Sequence, residues 1–147
     1  GPIFVKVPFS PSDLVIWKQS AGAYRENPKK TARVFKMIVK TQNPDWDDTQ
    51  VILDTLMDPT EKDMVLRKGR ERAEEDIRTA VMAGNINVLF ALANPGWDPN
   101  DNNNMVSLRV YQGWVTYGVL HGIPKVQNWA RVYDIREEPK NLPSAFL

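Results

Sequence analysis

The sequence has no cysteine, which excludes both a disulfide framework and a thiolate metal site. It has a single histidine, His121, so no histidine pair can hold a metal and no Cys–His couple exists for nucleophilic catalysis. No apolar run approaches the ~20 residues that a membrane-spanning helix needs. There is no glycine-rich phosphate loop, since the segment MAGN around Gly84 lacks the required spacing. Ser10, Ser12, Ser20, Ser107 and Ser144 sit in no nucleophile motif. Net charge is only +1, so bulk electrostatics selects neither a polyanionic nor a polycationic partner. Together these absences argue against an enzyme and against a resident cofactor or metal. They also argue against a membrane partner and against direct sequence-specific contact with nucleic acid.

What the sequence does contain is a division of charge. Residues 1–44 carry eight Lys/Arg against Asp13 and Glu26, whereas the remainder carries eleven basic and sixteen acidic residues. Such polarity can make two copies of a chain complementary, although charges coating a solvated surface give the same count. The 147 residues suit one domain with its own core.

Helix starts recur in one idiom. SPSD offers Ser10 as N-cap and Pro11 at the first helical position, NPKK offers Asn27 and Pro28, and DPTE offers Asp58, Pro59 and Glu61 as a capping box. The cap side chain accepts from a free backbone N–H, and proline sits where its missing N–H costs nothing. Between these starts the apolar residues follow the helical period: Val34, Phe35 and Ile38; Trp46, Leu53, Leu56 and Met57; Leu108, Tyr111, Val115 and Val119. The pattern predicts an all-α domain with helices near 11–20, 28–41, 45–57, 59–77, 104–121 and 125–134. A shorter helix is predicted within 78–91. HGIP predicts Gly122 as a left-handed helix terminator. Only Ile3–Val7, IFVKV, reads as a strand.

Three stretches invite a chemical reading. NPDWDD gathers Asp45, Asp47 and Asp48 around Trp46, but N-cap and first-turn positions explain all three, each interaction being worth about 0.3–1 kcal/mol. LRKGRERAEED pairs Arg67 with Glu71, Arg70 with Glu74 and Arg72 with Asp76 at i,i+4, the mark of a solvated helix face. Lys29, Arg33, Lys36 and Lys40 step by four, three and four, forming a basic stripe opposite the apolar face of their helix. That stripe is either plain surface or a face for an anion or a partner.

Several stretches in order then resemble one family. VPFSPSDLVIWK, NPDWDDTQVILDTL, DPTEKDMVL, NPGWDPN and PSAFL together look like the capsid region of a gammaretroviral-type Gag polyprotein, as in leukaemia viruses and related endogenous retroviruses. The resemblance spans nearly the whole chain. It implies a capsid N-terminal core domain of six to seven helices over residues 1–135, with a short N-terminal β-hairpin strand. Residues 136–147 would be a linker and the truncated start of a second domain.

The function so implied is a structural shell subunit that self-assembles into hexamers and pentamers around a viral genome. It would reside in the virion and, during assembly and entry, in the host cytoplasm. A host protein derived from Gag that binds capsids as a restriction factor is the alternative. The first three helices would line the ring, which makes Ser12, Lys18, Lys29, Arg33, Lys36, Lys40, Asp47 and Asp48 the candidate interface. Six copies of the stripe would form a positive ring able to hold an anion or polyanion weakly. Asp48 matches the aspartate that pairs with the family's N-terminal proline, although Pro2 and Pro8 stand too close for a complete hairpin. Pro99, Asn100, Asp101, Asn102, Asn103 and Asn104 fall where the family's capsids meet host restriction factors. Glu137, Glu138 and Asn141 replace the family's characteristic Gln, Gly and Glu ahead of PSAFL.

Overall fold

The local signals act where the sequence places them. In the computed structural model, which describes residues 8–123, six helices follow one another and no strand occurs among the described residues. They are α1 (Pro11–Ala21), α2 (Pro28–Gln42), α3 (Trp46–Leu56), α4 (Pro59–Arg78), α5 (Ile86–Leu89) and α6 (Asn102–His121). The expected strand at Ile3–Val7, the helix at 125–134 and the second-domain start at 136–147 lie outside the described residues.

Each of the three proline-marked starts has its cap. Ser10 Oγ accepts from Asp13 N at 3.2 Å, and Asn27 Oδ1 from Lys30 N at 3.1 Å. Asp58 and Glu61 form a reciprocal box, with Asp58 Oδ1 accepting from Glu61 N at 2.7 Å and Glu61 Oε1 from Asp58 N at 2.9 Å. Two expectations need correction. The last long helix begins at Asn102 rather than 104, because Asp101 caps it by accepting from the N–H groups of Asn103 and Asn104. Gly122 is not left-handed: its φ is −70° and its ψ −28°. A side chain there would meet Gly118 O at 2.6 Å and Tyr24 Oη at 3.1 Å, so its smallness serves close packing and not chain reversal.

α6 is the central element, packed along α4 and against α2, while α1 packs on α3 and α2. Phe35, Ile38, Ile52, Leu53, Leu56, Val65, Val115 and Val119 are fully buried between them. A ring cluster closes the end formed by α5 and the first half of α6: Tyr111 lies 5.1 Å from Phe90 and 6.0 Å from Trp97, centroid to centroid. Polar ties sit within this packing. Tyr24 Oη donates to Val119 O at 2.7 Å, and the buried Gln112 donates to Pro44 O at 3.0 Å and Thr49 Oγ1 at 3.1 Å.

The two buried phenols give the fold a pH dependence. Burial, with the Glu61 carboxylate second, pushes Tyr24 well above its usual value of 10.0. Burial also raises Tyr111, against a Gln50 hydrogen bond that lowers it. A phenol with a raised folded pKa contributes stability that is complete below the unfolded pKa and is lost as pH climbs toward the folded one. Stability should therefore fall above pH ~10, approaching about 1.4 kcal/mol per pH unit for Tyr24, with Tyr111 adding in the same direction. Urea unfolding of wild type and Tyr24→Phe between about pH 9.5 and 11.5 checks this. The variant should have the shallower decline, and parallel declines would refute the assignment.

Candidate functional site

α2 presents its basic stripe as the sequence places it. Thr31, Ala32, Phe35 and Ile38 face inward, and Lys29, Arg33, Lys36 and Lys40 are all exposed. On α1, Trp17 is buried and Leu14 half-buried, whereas Val15 and Ile16 are each 55% exposed and Ser12 is exposed beside them in sequence. Lys18 has an intramolecular role as well as an exposed position. Its Nζ donates to Gly22 O and to Leu56 O, both at 3.3 Å, so one ammonium meets the carbonyl-rich ends of α1 and α3.

The aspartates of NPDWDD cap α3. Asp45 Oδ1 accepts from Asp48 N at 2.7 Å and Asp48 Oδ2 from Asp45 N at 3.2 Å, a reciprocal box. Asp47 reaches elsewhere, its Oδ2 accepting from Asn94 Nδ2 at 2.9 Å. Among the described residues no cluster of three or more His, Cys, Asp or Glu could hold a metal ion. Asp48 is half-buried at the start of α3, and the N-terminal segment that the resemblance pairs with it lies outside the described residues.

The acidic–asparagine segment is more ordered than its composition suggests. Asp98 N donates to Asn104 Oδ1, and Asn100 N to Asp98 Oδ1, both at 2.9 Å. Asn102, Asn103 and Asn104 belong to the first turn of α6, Asp101 is its cap, and only Pro99 and Asn100 remain in the loop proper. The side chains from Asn100 to Asn103 are exposed.

The charged face of α4 differs from the expected pairing. Arg72 meets Asp76 at 3.3 Å as predicted, but Arg67 pairs backward with Asp63 at 3.0 Å, and Arg70 bonds Asn87 Oδ1 at 3.0 Å. Asp76 also accepts from Trp114 Nε1 at 2.8 Å, so this ion pair is anchored to the core. His121 ends α6 and is exposed, its ring 4.4 Å from that of Tyr117.

A feature that the sequence reading missed lies between α2 and α6. A groove of about 690 Å³ is lined by Lys36 and Lys40 from one helix and by Arg109 from the other. Arg109 follows Leu108 and precedes Tyr111 on α6, and nothing local marks it. Only the packing of two helices about seventy residues apart in the chain brings it to the stripe.

Comparison with known proteins places this architecture. The family described as Gag P30 core shell protein matches residues 12–147. The Gag polyprotein of Cas-Br-E murine leukemia virus is 35% identical over 141 residues, covering 95% of this chain and 26% of that protein. The Gag polyprotein of Friend murine leukemia virus (isolate 57) gives the same identity and coverage. The chain thus spans about a quarter of the length of the Gag polyproteins it matches, 26% in each.

Proposed function

The chain belongs to the Gag P30 core shell protein family, and on that premise we propose that it is a structural capsid subunit that assembles with copies of itself into a shell. The observation that carries the proposal is the outer face of α1. This helix already buries Trp17 in its own domain, yet turns Val15 and Ile16 to solvent, each 55% exposed. A surface helix normally keeps its outer face polar. Apolar material on both sides suits a helix that has a second packing partner.

The reading is a ring of six, or at some positions five, subunits lined by α1, α2 and α3. One face of each subunit meets a different face of the next, so the contact is heterologous and closing. Lys29 and Arg33 on α2 and the acids of α3 supply opposite charges for such a contact. Each contact is weak alone and the lattice holds by linkage of many, so the domain is monomeric in dilute solution. The shell would enclose the viral genome in the virion after assembly in the host cytoplasm. The segment from Pro99 to Asn104, in which Asn100 to Asn103 are exposed, would be where host restriction factors dock.

Tethering the chain at high density on a lipid surface, followed by electron microscopy, tests the proposal. Wild type should be monomeric by sedimentation and form hexagonal arrays only when crowded. Val15→Asp/Ile16→Asp and Lys29→Glu/Arg33→Glu should keep the helical signal and lose the arrays. Arrays that survive both changes would remove this surface from the interface. A wild type that never orders would turn the reading to a Gag-derived protein that acts by binding other capsids.

A further inference from the structure

The α2–α6 groove has the chemistry of a binding site, and its features do not depend on ring formation. Lys36 and Lys40 lie one helical turn apart on α2, about 6 Å along the axis, and Arg109 faces them from α6. Among the described residues no acidic one lines the groove. None of these three cations has an ion-pair or hydrogen-bond partner among the described residues. Several other cations are answered, Arg25 by Glu61, Lys62 by Asp54 and Arg72 by Asp76, whereas Lys29 and Arg33 share the open state of the stripe. What sets the groove apart is that cations from two helices line one concavity.

The α6 side of the groove supplies a second observation. Gly113 lies on α6 within the groove, and a Cβ built on it meets nothing within 4 Å. The other glycines of these helices have packing reasons, since Gly69 and Gly118 stand where α4 and α6 touch. Gly113 has none and does not adopt a positive φ. A glycine inside a helix is destabilising by roughly 0.5–1 kcal/mol relative to alanine, and nothing in the fold accounts for this one. What its missing side chain does is leave the α6 side of the groove open at this exposed position, while Met37 and Val39 give the α2 side an apolar character. The volume, about 690 Å³, lies in the range of small-molecule sites.

We propose that the groove lined by Lys36, Lys40, Arg109 and the open position at Gly113 binds a small organic polyphosphate, its phosphates on the three cations and its body against Met37 and Val39. Arginine offers a planar fork to phosphate oxygens and the two lysines offer point charges, an arrangement suited to adjacent phosphates more than to a single carboxylate. The site belongs to one subunit. It is therefore distinct from a positive ring at a six-fold axis, which exists only on assembly.

Calorimetric titration of the monomeric chain with ATP at low salt, with inorganic tripolyphosphate as the comparison, is the test. Saturable one-to-one binding is expected, with ATP tighter than tripolyphosphate because of the apolar wall. Arg109→Ala and Lys40→Ala should each weaken ATP binding about three- to tenfold. Gly113→Leu should weaken it strongly by placing a bulky side chain on the α6 side of the groove, while thermal unfolding confirms that the helix is intact. Lys29→Ala, on the same helix but outside the groove, should leave the affinity unchanged. Absent saturation, unchanged binding in Gly113→Leu, or equal losses from Lys29→Ala and Lys40→Ala would each overturn the proposal, the last by revealing diffuse attraction to the whole stripe. Equal affinity for tripolyphosphate and ATP would overturn the assignment of the organic body to the apolar wall.

Discussion

Replacing Gly118 by alanine should destabilise the domain by about 3 kcal/mol or more, although alanine is the better helix former. The reason is the crossing of α4 and α6. A Cβ on Gly118 would be driven into the carbonyl group of Val65 and would lie 3.1 Å from the backbone nitrogen of Gly69. The same crossing works in reverse, since a Cβ on Gly69 would stand 2.8 Å from Trp114 O. These neighbours are backbone, which cannot rotate aside as a long side chain can. Relief requires the helices to separate, and separation opens the layer formed by Val65, Ala73, Val115 and Val119, all fully buried. Gly113→Ala on the same helix is the internal control. With open space around it, the change should stabilise by roughly 0.5–1 kcal/mol. Urea unfolding of both variants decides the matter, and two shifts of the same sign would remove the crossing as the cause.

Phe90→Ala should cost about 3–5 kcal/mol, the range for an aromatic truncated in a packed core. Phe90 is 1% exposed and closes α5, a helix of only 4 residues that has no stability of its own. Its ring lies 5.1 Å from Tyr111 and 6.4 Å from Trp114, and its Cε2 is among the atoms that hem in Gly69. In the same connection Val81, Val88 and Leu92 are 73%, 62% and 74% exposed, while Met82, Ile86 and Leu89 are only partly buried against the core. Phe90 is thus the one large, fully buried side chain that the connection from α4 to α6 sets into the core. Its loss should raise amide exchange through residues 80–93 beyond what global destabilisation explains. A cost under about 1 kcal/mol, with exchange unchanged, would mean that the anchor lies elsewhere.

The helical architecture was legible because its signals are local. A proline preceded by Ser, Asn or Asp marks a start within four residues, and the caps at Ser10, Asn27 and Asp58 act as written. The capping role of Asp45 and Asp48 was legible for the same reason. What failed depended on distant neighbours. Gly122 followed by Ile123 and Pro124 looks like a C-terminal stop, but its role is set by Tyr24 and Gly118, which press against it. Arg67 and Arg70 chose partners by the space around them and not by the ideal i,i+4 interval. α5 was called only as a short helix within 78–91, since one turn of helix carries no periodicity.

The candidate site divides in the same way. The stripe on α2 could be seen because all four cations share one helix. Arg109 could not be seen as its neighbour, and Gly113 looked like an ordinary weakness of a helix. One signal was available in retrospect. A glycine with no turn to make, one turn beyond an arginine with no partner among the described residues, suggests a helix surface that is being kept open.

The way α6 is held has a practical corollary. Its recognition by the rest of the domain is carried by side chains and by the glycine crossing: Tyr24 on Val119 O, Gln50 on Tyr111 Oη, Gln112 on Pro44 O and Thr49, Asp76 on Trp114. None of these ties runs through the connection at Pro99 and Asn100. A chain opened there would leave residues 8–99 and 100–123 with complementary surfaces intact. Produced as separate halves and fused to two other molecules, they would come together when those molecules meet, making the domain a split reporter whose signal is the docking of one helix.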